Sequence, residues 1–84
     1  MRTRYFFHTE NDRTELDPDG VELADITHAR KEAVALLGRM LQDAEGDNLW
    51  RGKDWKVWVT DAPNGGGYVF FKLQLSASGD KGRV

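Results

Sequence analysis

Eighty-four residues without a single cysteine, carrying a formal charge of −2, define one small domain that has neither a disulfide framework nor a thiolate metal site. Fourteen acidic against twelve basic residues supply no broad basic field for non-specific nucleic-acid binding. A chain this short buries only about 60–65% of the surface its unfolded form exposes, so stability must come from packing of its three tryptophans, two tyrosines and four phenylalanines, helped by association with a second copy.

The chain opens on "MRTRYFFH", which has no apolar h-region, so no signal peptide is expected. No apolar run approaches the roughly 20 residues needed to span a bilayer, and a cytoplasmic location is expected. Arg4 to Thr9 is short, aromatic and free of Gly and Pro, which predicts a strand. Tyr5, Phe6 and Phe7 are all bulky, so that strand should find apolar contacts on both faces. Thr14 to Leu16 suits a short strand, and Val21 to Leu23 alternates as an edge strand would.

Asp25 offers a carboxylate N-cap to a helix starting at Ile26. Ala29, Ala33, Leu36, Leu37, Met40 and Ala44 then recur at three- and four-residue steps, with Arg30, Lys31, Arg39, Gln42 and Asp43 outside. Gly46 is a natural C′ residue, which places the helix at about 26–45. "WKVWVT" at 55–60 puts Trp55, Val57 and Val59 on one side and Lys56, Trp58 and Thr60 on the other. "YVFFKLQL" at 68–75 alternates again, and the Pro- and Gly-rich "DAPNGGG" between them makes the pair a hairpin. The small, polar tail 76–84 is expected to be disordered. The expected fold is a single α+β domain over 1–75 in two layers, with one helix on an antiparallel sheet in the order β-β-α-β-β.

The acidic stretch "ELDPDG" invites comparison with a calcium loop. Placing Gly20 at the sixth EF-hand position puts Glu15, Asp17 and Asp19 at the first, third and fifth. The twelfth position, where a bidentate Glu is required, falls on Ile26, and no helix precedes Glu15. Asp17-Pro18-Asp19-Gly20 is therefore read as a turn, with Pro presetting φ and Gly following the bend. His8 and His28 lack a ligand spacing. Ser76 and Ser78 lie in the tail, where no oxyanion hole can be preorganised. The "NGGG" run lacks the following helix and Lys-Ser/Thr of a phosphate loop. No metal, cofactor or catalytic site is expected, and the protein is not read as an enzyme.

What is left is geometric. If Val57, Val59, Val69, Phe71, Leu73 and Leu75 face the helix, strict alternation leaves Trp58, Tyr68, Phe70, Lys56 and Lys72 on the opposite face, where Phe6 and His8 can join them. An uncovered aromatic patch on so small a domain marks an interaction surface. Two occupants compete: a second copy packed face to face or edge to edge, and a single-stranded nucleic acid stacked on the aromatics beside Lys56, Lys72, Arg2 and Arg4. A third reading makes Trp58 and Phe70 an ordinary cross-strand pair shielded by Trp50 and its loop.

Taken together, "RYFFH" at 4–8, "DPDGVELAD" at 17–25, "ARKEA" at 29–33, and Val57, Val59 and Asp61 in a V-x-V-x-D strand resemble a family of small bacterial domains of unknown function. Its members are commonest in rhizobia and other alphaproteobacteria. The resemblance spans residues 4–75 and departs from the pattern at "LWRGKDWKVW" and "APNGGG". It implies a single-domain cytoplasmic protein and carries no catalytic or cofactor residues over. The sequence reading is thus a non-catalytic interaction module, homodimeric through the sheet face or an edge strand, with a nucleic-acid or regulatory binder as its alternative.

Overall fold

The computed structural model describes residues 2–11, 13–42, 52 and 54–77. Its elements are β1 (Thr3–Glu10), β2 (Thr14–Glu15), β3 (Val21–Leu23), α1 (Ile26–Gln42), β4 (Trp55–Thr60) and β5 (Val69–Leu75). Every strand pair is antiparallel, in the order β2-β1-β4-β5, with β3 also on β1. One helix on one antiparallel sheet is the two-layer α+β architecture the pattern predicts, but three strands rather than two precede the helix. Thr9 faces Glu15 and Tyr5 faces Val21. The chain after Glu15 therefore returns to β1 with two extra residues, and those extra residues form the bend at 16–20. Residues 43–45 of the predicted helix and the Gly46 cap lie outside the described residues, as does the tail beyond Ala77. Among the described residues no helix is long and apolar enough to cross a membrane.

The core follows from alternation meeting a 3.6-residue period. Tyr5, Val57 and Val59 point to one side of the sheet, and Ala29 and Ala33 pack on them with no exposed surface. Two alanines on the contact stripe let the helix approach closely, and Ile26, Leu36, Leu37 and Met40 close in around them. Asp25 caps the helix: its Oδ1 accepts from the His28 N–H at 3.0 Å and lies 2.8 Å from His28 Nδ1. That contact, together with the His28 backbone N–H, holds the Asp25 carboxyl below its usual value of 3.8 against a small desolvation effect.

The hairpin departs from strict alternation. Val59 faces Phe71, but Thr60 faces Val69, so Phe70 is an extra residue bulged out of β5. The bulge turns Phe70 to the helix side, where it packs with Phe71 and Leu73 against the core and meets Tyr5 at 5.0 Å between ring centroids. Val69 passes to the outer side and is 40% exposed. The assignments of Phe70 to the outer face and of Val69 to the helix face are both corrected by that one residue. Beyond the bulge, Asp61 closes the turn: its backbone N–H donates to Tyr68 O at 3.1 Å, and its Oδ1 accepts from the Tyr68 N–H at 2.9 Å. Gly67 has φ +75°, and a Cβ there would run into the Asp61 carboxylate.

The helix lies mainly over β3 and β4. Phe70, Phe71, Leu73 and Leu75 of β5 face the helix layer and stay half-buried.

Candidate functional site

Two features stand out, the outer side of the sheet and the β5 margin, and the first depends on how the segment 16–20 is fastened down to β1. Between its pairing with β3 at Thr3–Tyr5 and with β2 at Thr9–Glu10, β1 has an N–H at Phe7 with no ladder partner on that edge. Asp17 takes it: Oδ2 accepts from Phe7 N–H at 3.1 Å, while Oδ1 accepts from Asp19 N–H at 3.0 Å and Gly20 N–H at 3.1 Å. Partial burial draws the Asp17 carboxyl upward, but the N–H groups of Gly20, Phe7 and Asp19 outweigh it and hold the group below 3.8. The acidic stretch is thus a turn, and both Asp17 oxygens are engaged by the chain's own backbone. Gly20, at φ +72°, completes it, since a Cβ would come within 2.9 Å of both Arg4 Cγ and Phe6 Cε2.

Beneath this segment, Phe6 and His8 alternate onto the outer side of β1 and are buried by it. His8 is wholly enclosed, and its two ring nitrogens are both used. Nδ1 accepts from Asp17 N–H at 3.0 Å, and Nε2–H donates to Thr60 Oγ1 at 2.8 Å. The Thr60 hydroxyl in turn donates to Ala62 O at 2.8 Å. Because Nδ1 accepts, the imidazole is the neutral Nε2–H tautomer. A buried His beside a Thr hydroxyl superficially suggests a base and a nucleophile. Here the hydroxyl gives its proton to a backbone carbonyl and faces no open space, so the chain serves as a polar tie between β1, the 16–20 segment and the hairpin turn. Alternation allows His8 on this side, but nothing in the sequence pattern reveals the tie, which joins residues 8, 17, 60 and 62.

Of the predicted surface residues, the fold brings three together. Trp58 lies between His8 on β1 and Lys72 on β5 in one cross-strand row, with Lys56 two residues away on the same side. They line a cleft of about 300 Å³ with Glu10, Gly65 and Val69. Its floor is the half-buried Trp58 ring, tilted against His8 at 5.3 Å between centroids. The Gly65 turn comes close to both Leu16 and the indole edge: a Cβ at Gly65 would lie 3.2 Å from Leu16 Cδ2 and 3.8 Å from the Trp58 ring. The other two do not join them. Phe70 is in the core, and Tyr68, 64% exposed, stands edge-on to Phe70 at 5.2 Å.

The second feature is the edge itself. Among the described residues β5 pairs only with β4, so its far side presents unpaired main-chain donors and acceptors along seven residues. Beside that edge runs the half-buried inner row Phe71, Leu73 and Leu75.

A five-stranded antiparallel sheet under a single N-capped helix, tied by an Asp-centred turn, is a small α+β domain of a definite pattern. The family model for a domain of unknown function, DUF6894, matches residues 4–75, and the chain belongs to that family. No curated protein and no solved structure matches it.

Proposed function

We propose that this domain is a non-catalytic interaction module of the bacterial cytoplasm that pairs with a second copy of itself through β5. The observation carrying the reading is the conjunction at that edge. Among the described residues the seven of β5 have no strand partner on their far side, and they lie beside a half-buried apolar row, so one contact can satisfy the backbone and bury Phe71, Leu73 and Leu75 further. The sheet face is the weaker candidate, because the 16–20 segment and the 62–65 turn already cover Phe6, His8 and part of Trp58.

Charge selects the register. A two-fold centred on Lys72 would oppose two ammonium groups, which is unfavourable. Centring it on Leu73 sets Phe71 against Leu75 of the second copy and Lys72 against Gln74. The pair then forms one continuous sheet with both helices on the same side. Light scattering on a size-exclusion column should give twice the 9.5 kDa chain mass. Gln74→Glu, which places a carboxylate opposite Lys72 in both halves, should tighten the dimer, and Gln74→Lys should loosen it. A monomer at all concentrations refutes the reading, and equal behaviour of the two variants refutes the register.

A further inference from the structure

We infer that the Trp58 cleft is a binding site for a nucleoside monophosphate carrying an amino base. The inference does not require the β5 pairing, since the cleft is formed by one copy on the outer side of the sheet, but Lys72 takes part in both. The cleft is mononucleotide-sized, at about 300 Å³, the lower end of the range for ligand pockets. The half-buried Trp58 lines it, its ring tilted against His8 at 5.3 Å between centroids. A planar base is the group that gains most from such a surface, because stacking tolerates any ring identity and needs no hydrogen bond from the protein.

Charge supplies the second element. Lys72 is directly across from Trp58, and Lys56 is two residues before it on the same strand, so two ammonium groups flank the ring. Among the described residues the only ion pairs are Arg4 with Glu22 and Asp25 with His28, so neither lysine is held by a described carboxylate. Glu10 is the cross-strand neighbour of Lys56 and lines the cleft, yet forms no ion pair with it. In a protein of net charge −2, the cleft carries two positive groups and one negative. That combination suits a ligand with an anion at one end and an amine donor at the other. The phosphate goes to the lysines, the ring to Trp58, and the exocyclic amine of adenine or cytosine to the Glu10 carboxylate. Gly65 and its exposed neighbour Gly66 leave the rim without side chains where the ligand must enter.

The test is backbone amide NMR during titration with AMP, with IMP, adenosine, inorganic phosphate and a short oligo(dA) as comparators. AMP should shift the Gly65, Val69 and Lys72 amides saturably, and adenosine and phosphate should each bind at least about tenfold more weakly. IMP, which lacks the amine, should also bind more weakly than AMP, and Glu10→Gln should narrow that gap. Lys56→Gln/Lys72→Gln, both surface changes, should weaken AMP by about tenfold or more while the rest of the spectrum is unchanged. No shift at these amides up to about 5 mM AMP, or unchanged AMP affinity in the double lysine variant, overturns the site. Oligo(dA) binding far more tightly per molecule than AMP overturns the mononucleotide as occupant and assigns the cleft to a strand.

Discussion

Replacing Asp17 with alanine removes the acceptor for three backbone donors at once, at 3.0–3.1 Å. The three are not equal. Asp19 N–H is at an exposed position and regains water, so its loss costs little. Phe7 and Gly20 N–H are partly buried, and an unsatisfied buried donor costs about 1–3 kcal/mol. Allowing for water that reaches the opened turn, the substitution should destabilise the domain by about 2–3 kcal/mol, which for this size lowers Tm by about 10–20 °C. Asp17→Asn is the informative companion. Its carbonyl can serve one side of the turn, but its amide then presents N–H to an N–H, so it should fall between wild type and alanine. The pH dependence has a fixed sign. Asp17 titrates below 3.8 when folded, so its contribution is complete above 3.8 and is lost as pH falls through the depressed folded value. Wild type should therefore lose Tm on acidification below pH 3.8 more steeply than Asp17→Asn. Asp25 is depressed in the same direction but is common to both proteins and cancels in the comparison. The assay is thermal unfolding by circular dichroism from neutral pH to pH 3. A melting temperature for Asp17→Ala within about 2 °C of wild type would refute the claim that this carboxylate fastens the segment to β1.

Two further predictions follow from backbone geometry. Gly20→Ala demands a left-handed φ of +72° from an L-residue and drives its methyl into Arg4 and Phe6; a loss of at least about 2 kcal/mol in urea unfolding is expected, and a neutral outcome would mean the bend relaxes freely. Phe70→Ala should cost about 2–4 kcal/mol because the bulge buries that ring against Tyr5 and the helix side, whereas Val69→Ala, 40% exposed, should cost under about 1 kcal/mol. Strict alternation predicts the reverse order, so equal or inverted losses in urea unfolding would refute the bulge.

What the sequence determines here is what local rules determine. The 3.6-residue spacing of Ala29, Ala33, Leu36, Leu37 and Met40 specifies one helix and its buried stripe, and the carboxylate of Asp25 marks its start. Period-two patterning in 55–60 and a glycine-rich turn specify a hairpin, and Asp-Pro-Asp-Gly specifies a bend. Several residues of the short motifs read in the sequence have structural jobs: Asp17 and Gly20 in the bend, Asp25 at the cap, Asp61 in the hairpin turn. Tertiary structure decides the rest, because it depends on pairing between distant residues. A single extra residue in β5 cannot be seen in an alternation that reads equally well without it, yet it exchanges the faces of Val69 and Phe70 and splits the predicted aromatic patch in two. Likewise, whether Thr14–Glu15 and Val21–Leu23 share one edge of β1 is a matter of register. That register leaves Phe7 N–H for Asp17, encloses His8, and so sets which part of the outer side stays open. Only then does Trp58, with Lys72 across from it and Lys56 two residues before it, come to line an open cleft.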